Sequence, residues 1–540
     1  MNNSFPDKIF YNGNIITMAE NENPEAVAVT GGKISFVGKL SEVLNDESFK
    51  NHKMVDLNGR TLMTSFIDPH SHFTSVATSF LEISLEDAQC FEDICEKIKN
   101  YINTQKPEKG KWIVAKGYDQ NFLKEKDHPR AAVLDKVSQD YPVIIHHRSG
   151  HIGVFNSKAM EILKIGKNTQ SPDGGNIEKK EGIPTGYMEE NAFIELSKKV
   201  PMPSLEDMKN AYIKAQEKYA SYGITTIQEG MTVTELLPMY EMLKREKVLF
   251  LDTVCYCGID SGKGFTERFS EHQGEYKDRI KIGGYKIFLD GSPQGRTAWM
   301  RKPYENSKDY CGYGTMSDEA VYSSLKKALD DNMQLLAHCN GDRAVQQYLE
   351  AAEKLKSQGC EVSKIRPVIV HGQLMGTDQL KEAADLGFIA SFFVAHVYHW
   401  GEIHLENFGK ERGSHISPAG SALKNKMIFT FHQDSPVIEP DMAETIWSSV
   451  VRETQHGICI GEEEKIPVYE ALKAVTVNAA YQYFEEKDKG TIEKGKKADL
   501  IILDKNPLTC KKEELKNLKV LCTMKEGKTV YCRDIEDLKI

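Results

Sequence analysis

The sequence predicts an α/β protein built on a closed, TIM-like (β/α)8 barrel, and three observations carry that prediction. Short apolar runs alternate with amphipathic helical stretches through the middle of the chain. Several of those runs end in a histidine or an aspartate. Both chain ends are instead rich in short strands separated by turn signals such as Asn12-Gly13, Gly31-Gly32 and Asn58-Gly59.

The expected barrel strands are residues 64–68, 143–147, 225–228, 285–289, 334–338, 368–371, 389–393 and 427–431, with helical segments at 207–222, 317–332 and 377–386 between them. Strands alternating with helices imply parallel pairing. A doubly wound sheet has the same texture, but the phosphate-loop and dinucleotide fingerprints that would favour it are absent. Residues 75–140 and 150–206 are too long for plain connections, so they are expected to form an inserted subdomain over one end of the barrel. The β-rich ends, residues 1–64 and 485–540, are expected to pair into one composite β-sandwich domain around a barrel of residues 65–484. Two independent flaps are the alternative.

The bulk composition narrows the function classes. With 540 residues, 40% apolar and 27% charged, the chain has the usage of a folded protein with room for a large core. A net charge of −10 argues against nucleic acid or an anionic membrane as the main partner. No apolar run reaches the length of a membrane span, and Met1 to Lys8 lacks the basic start and apolar stretch of a secretory leader. The 11 cysteines are scattered; only Cys255 and Cys257 stand close, at C-x-C spacing, and no zinc-ribbon pattern occurs. Reduced thiols and a cytoplasmic location follow as expectations.

The chemistry sits at the strand ends. Asp68-Pro69-His70-Ser71-His72 follows the first strand, and side chains two apart on an extended segment face the same side, so His70 and His72 can grip one ion. His338 ends residues 334–338 and His371 ends 368–371. Asp434 follows 427–431, in the run Phe431-His432-Gln433-Asp434-Ser435-Pro436. Polar groups repeated at the C-terminal ends of barrel strands mark the place where such enzymes build their sites. Lys286, near the start of an apolar strand, reads on its own as a salt-bridged or snorkelling lysine, because an unpaired buried ammonium is costly.

These motifs resemble the amidohydrolase superfamily, and within it amidohydrolase family 3, the branch that includes N-substituted formamide deformylases. The resemblance runs nearly end to end. It includes Asp68 to His72, Gly117-Tyr118-Asp119, His128-Pro129-Arg130 and Ser149-Gly150-His151. It continues through Lys286 with Asp290-Gly291-Ser292, His338 with Gly341-Asp342, Arg366 with His371, Asp434-Ser435-Pro436, and Gly495 to Asp499. The resemblance implies that His70, His72 and Asp434 bind one divalent metal, zinc being expected. It also implies that His338 and His371 bind a second, with Lys286 carboxylated and bridging the two. One feature departs from the pattern: bulky His432 and Gln433 precede Asp434 where the family often has Gly or Ser.

A small-molecule hydrolase of C–N bonds follows: an amide, an N-formyl or N-acyl compound, or a cyclic amide. Asp434 is the expected general base, with His338 and His371 beside the carbonyl. Tyr118, Asp119, His151, His399, Trp400 and His432 are candidates for the substrate pocket, with His396 near them and the roles of His146 and His147 unassigned. The alternatives are a deaminase of an amino-substituted ring and a binding protein on a barrel without activity. A homodimer is expected only from the resemblance, and the substrate is not readable.

Overall fold

The computed structural model describes residues 7–19, 23–201 and 203–533. The chain divides into two compact units, Met1–Thr74 with Ala215–Ile540, and Ser75–Lys214.

The larger unit carries a curled sheet of eight parallel strands, TIM-barrel-like, in chain order. They are β1 (Phe66–Ile67), β2 (Ile224–Thr232), β3 (Asp252–Gly258), β4 (Ile280–Phe288), β5 (Gln334–Cys339), β6 (Val368–His371), β7 (Ile389–Phe392) and β8 (Phe429–Phe431). Beyond the two outermost strands the backbone N–H of His72 donates to Ser435 O at 2.8 Å, drawing the end of β1 to the end of β8. The registers set neighbouring chemistry side by side: Phe288 pairs with His338, Cys339 with His371, and His371 with Phe392. Ile67, Val254, Tyr256, Leu336, Val368, Val370 and Ile389 pack as one buried cluster, the apolar filling expected of a closed barrel. Asp318–Asp330, Asp342–Ser357 and Thr377–Asp385 are the helices that follow β4, β5 and β6. No described helix is long and apolar enough to cross a membrane.

One expected barrel strand is replaced by another. Val143–His147 belongs to the six-stranded sheet of the Ser75–Lys214 unit, parallel to Ile113–Tyr118 and antiparallel to Ile152–Phe155. The vacated place is taken by β3, the Cys255–Cys257 segment, buried along its whole length. Its opening residue, Asp252, looks unsuited to a sheet core but is charge-paired there. Residues 75–214 therefore form one continuous unit with its own apolar core, which includes Ile94, Ile98, Ile113, Tyr118, Val143 and Val154.

In the larger unit, Thr61–Thr64 pairs antiparallel with Leu500–Leu503, in a five-stranded sheet that also holds Asn14–Ile16, Val520–Lys525 and Lys528–Cys532. A four-stranded sheet holds Lys8–Tyr11, Ala26–Thr30, Lys33–Gly38 and Lys53–Asp56. Phe10, Val27, Val29, Leu62, Leu500, Ile502 and Met524 share one cluster between them.

At the starts of β3 and β4 lies a buried charge network. Asp252 takes Lys489 at 2.7 Å, Lys525 at 2.6 Å and Arg279 at 2.9 Å. Lys525 also reaches Asp499 at 2.7 Å, Lys489 reaches Glu485 at 2.6 Å, and Lys281 pairs with Glu485. This is the N-terminal face of the barrel, where such groups serve stability, and it leaves the opposite face for chemistry.

Candidate metal centre

The site is built from the ends of β1, β4, β5, β6 and β8. After β1 the chain carries His70, which is 1% exposed. Its Nδ1 lies 2.6 Å from Gln228 Oε1. The amide orientation of Gln228 is fixed because its Nε2 donates to Pro69 O at 2.6 Å and to the Tyr483 hydroxyl at 2.9 Å. Oε1 can then only accept, His70 Nδ1 must carry the proton, and His70 Nε2 is left as a lone pair. Such close packing needs glycine at Gly230: a Cβ there would stand 2.7 Å from His70 Cε1 and 2.8 Å from Ser71 O.

His70 Nε2 and His72 Nε2 converge on one carboxylate oxygen, Asp434 Oδ1, at 3.4 and 3.3 Å. That oxygen is buried, and among the described residues no hydrogen-bond donor is aligned on it. The ligand atoms of His70, His72 and Asp434 all lie within 4.8 Å of one another. An imidazole lone pair and an unsatisfied carboxylate oxygen aimed at one point, with a second imidazole beside them, form a donor set that a divalent cation satisfies. The triad therefore makes one divalent-metal site.

Burial alone would raise the Asp434 carboxyl, but the surrounding rings of His72, His70 and His371 hold it well below the usual carboxylate range. Burial and the Lys286 ammonium push His70 well below the ordinary histidine value, keeping it neutral. Burial would lower His72 too, yet Asp434 beside it wins and holds it above that value.

Lys286, fully enclosed on β4, lies 3.4 Å from His70 Nε2 and 5.2 Å from the Phe288 ring centre. No carboxylate of a described residue comes within salt-bridge distance, so the ion pair that its sequence context suggests is not present. Burial lowers its pKa to about 8, with Asp434 opposing.

His338 and His371 stand on the same side, ring centres 4.6 Å apart. His338 Nδ1 faces Asp290 Oδ1 at 3.2 Å. That carboxylate also accepts the backbone N–H groups of Asn340 at 2.9 Å, Gly341 at 2.7 Å and Trp299 at 3.0 Å. Asp290 is thus an acceptor locked by the backbone, and His338 Nδ1 donates to it. His371 Nε2 is 3.9 Å from Asp434 Oδ2. Its Nδ1 meets His432 Nε2 at 3.0 Å, and His432 Nδ1 meets Ser391 Oγ at 2.9 Å. Both His371 (φ 75°) and Asp434 (φ 54°) adopt the left-handed backbone, a region that histidine and aspartate enter more readily than most non-glycine residues.

The structure brings His70, His72, Lys286, His338, His371, Asp434 and His432 together. His399 is tied to Glu444 at 2.7 Å, and Trp400 packs on His396 and Phe393 with ring centres 4.5 and 5.9 Å away. Phe393 in turn lies 5.4 Å from His432. Tyr118, Asp119 and His151 belong to the Ser75–Lys214 unit. There the Tyr118 hydroxyl meets His128 Nδ1 at 3.1 Å, Asp119 takes the Asn121 N–H at 2.9 Å and Arg148 at 3.3 Å, and exposed His151 pairs with Glu190 at 3.1 Å. In the same unit the His146 ring packs on Phe193, and burial lowers its pKa to about 4. Gln228 and Ser391 escaped the sequence reading, and Asp290 entered it only as part of the Asp290-Gly291-Ser292 run, without a role. Asp290 alone carried a local signal, a carboxylate two residues beyond a strand and ahead of a glycine.

Similarity to known proteins points the same way. The N-substituted formamide deformylase of Arthrobacter pascens is 26% identical over 545 residues, covering 98% of each chain. The putative amidohydrolase YtcJ of Bacillus subtilis (strain 168) is 26% identical over 539 residues, covering 97% of this chain and 99% of its own. An uncharacterized metal-dependent hydrolase of Pyrococcus horikoshii OT3 superposes with a TM-score of 0.75 at 25% identity, covering 94% of this chain and 99% of its own. Because the family model matches residues 53–531, a span that contains every residue of the centre just described, the chain belongs to the amidohydrolase family.

Proposed function

We propose that this protein is a metal-dependent hydrolase that cleaves a C–N bond of a small-molecule amide, an N-formyl or N-acyl amine or a cyclic amide. The observation that carries the reading is the convergence of His70 Nε2 and His72 Nε2 on an unsatisfied buried Asp434 Oδ1. A divalent ion held there, zinc on the strength of its imidazole and carboxylate ligands, makes water acidic enough to act near neutral pH and polarises a carbonyl.

The protein's own groups supply the rest. Asp434 stays ionised because three histidines surround it, so its second oxygen can accept a proton from water and return it to the leaving nitrogen. His338, oriented by Asp290, and His371 would hold the substrate carbonyl or a second ion. With its pKa lowered to about 8, Lys286 has an appreciable free-amine fraction at neutral pH. Addition of that amine to carbon dioxide, with loss of the nitrogen's proton to solvent, would turn a buried cation into an anionic carbamate. The carbamate oxygens could then serve a second ion together with His338 and His371. The deformylase relative makes N-formyl amines the first substrates to try.

Purified protein should be assayed for bound metal and for amine release from a panel of N-formyl, N-acyl and cyclic amides. Metal removal should abolish amine release. Asp434→Asn should lower turnover about 10²–10⁴-fold. Full activity in Asp434→Asn would overturn the assigned base, and ammonia release from amino-substituted rings with no amide cleavage would overturn the reaction.

A further inference from the structure

Three adjacent strands each contribute one member of a closed polar chain: His371 ends β6, Ser391 lies within β7, and His432 follows β8. All three are buried, His432 and Ser391 completely. A neutral imidazole has one N–H and one acceptor, so the contacts His371 Nδ1 to His432 Nε2 and His432 Nδ1 to Ser391 Oγ admit only two proton arrangements. In one, His371 Nδ1–H donates to His432, His432 Nδ1–H donates to the Ser391 oxygen, and His371 Nε2 is a lone pair. In the other, all three reverse, and His371 Nε2–H points toward Asp434 Oδ2, 3.9 Å away. Only the first arrangement lets His371 bind a metal or accept a hydrogen bond from substrate. Partners behind a ligating histidine commonly set its tautomer and ring orientation.

We propose that His432 is the positioning residue of His371: its Nε2 accepts a hydrogen bond from His371 Nδ1–H and its own Nδ1–H donates to Ser391 Oγ, holding the His371 Nε2 lone pair toward the metal centre. This rests on the reading of His371 as a metal ligand. The relay also accounts for a fully buried histidine in contact with the site that takes no part in the His70–His72–Asp434 triad.

Cobalt(II) titration of the metal-free protein, followed by visible absorbance and by bound-metal analysis, tests the relay without a substrate. His432→Phe keeps an aromatic ring but neither ring nitrogen. Ser391→Ala removes one oxygen from the far end of the relay. His432→Gln restores an amide oxygen facing His371 and an N–H facing Ser391. Expected are a loss of cobalt affinity of about 10–100-fold in His432→Phe, a smaller loss in Ser391→Ala, an altered cobalt spectrum in both, and recovery in His432→Gln. His371→Ala tests the reading beneath. If it changes neither affinity nor spectrum, His371 is not a ligand and the proposal falls with it. If His371→Ala changes both while Ser391→Ala and His432→Phe match the wild type, His371 is a ligand and His432 does not position it. Should His432→Phe fail to fold, the single-atom change at Ser391 decides: a wild-type spectrum and affinity there overturn the relay.

Discussion

Gln228 Oε1 and His70 Nδ1 lie 2.6 Å apart, and the far end of the same amide is pinned between Pro69 O and the Tyr483 hydroxyl. A side chain on the second barrel strand therefore decides which nitrogen of a residue beyond the first can bind a cation. Replacing Gln228 by Leu frees the His70 ring to take either tautomer. Metal affinity should fall about 10–100-fold, measured by competition with a chromophoric chelator. Unchanged affinity would mean that packing alone orients His70.

Gly230 is the second support of the same ring. Its backbone passes so close to His70 that a methyl group must displace either the ring or Ser71 O. Gly230→Ala should lower metal occupancy after dialysis, while Gly166→Ala, whose added methyl meets nothing within 4 Å and whose backbone is not left-handed, should leave it unchanged. Equal occupancy in the two variants would show that the strand can yield.

The charge network at the base of the barrel makes stability depend on pH in a defined direction. Burial would raise Asp252, yet Lys489 and Lys525 hold it well below the ordinary range. Against the same burial, Lys489 and Lys281 hold Glu485 at about 2, and Arg279 holds Glu526 at about 2. Unfolded carboxylates titrate near about 4, so the unfolded chain binds more protons between pH 2 and 4. The stabilisation is complete above that window and is lost as pH falls toward 2. The urea midpoint should drop steeply between pH 4 and 2, and Asp252→Asn should show a shallower drop. Parallel pH curves for the two proteins would remove Asp252 from the account.

Arg452 is fully buried and spends its guanidinium on main-chain carbonyls: Ile460 at 2.9 Å, Ile416 at 2.7 Å, Ser417 at 3.2 Å and Ser414 at 3.3 Å. Arg452→Met preserves much of the bulk but strands those acceptors. Each buried unsatisfied group costs about 1–3 kcal/mol, so a loss of roughly 3 kcal/mol or more in urea unfolding is expected. A loss below about 1 kcal/mol would show that water reaches the carbonyls.

The ligands were legible in the sequence because a histidine or aspartate closing an apolar run is a local pattern. The same pattern misplaced Val143–His147: that segment also ends in histidines, and nothing within five residues tells which sheet it will join. Asp252–Gly258 suffered the converse error, since its leading aspartate is tolerable only with Lys489 and Lys525, more than two hundred residues downstream. Gln228 and Ser391 were unreadable for the same reason. Each matters through a partner on a neighbouring strand, and register across a sheet is a property of the folded chain.

The joining of the two chain ends has a consequence for how the molecule is made. Lys8 is buried, and its ammonium donates to Gly527 O at 2.7 Å, 519 residues later. At about 5–20 residues per second, a ribosome needs roughly 30–100 s to cover that interval. Through most of it Asn14–Ile16 and Thr61–Thr64 have left the tunnel while Leu500–Leu503, Val520–Lys525 and Lys528–Cys532, which complete their five-stranded sheet, do not yet exist. Their open edges are then liable to pair with the wrong chain. Synthesis of residues 500–532, rather than emergence of the barrel, becomes the event that lets the five-stranded sheet close.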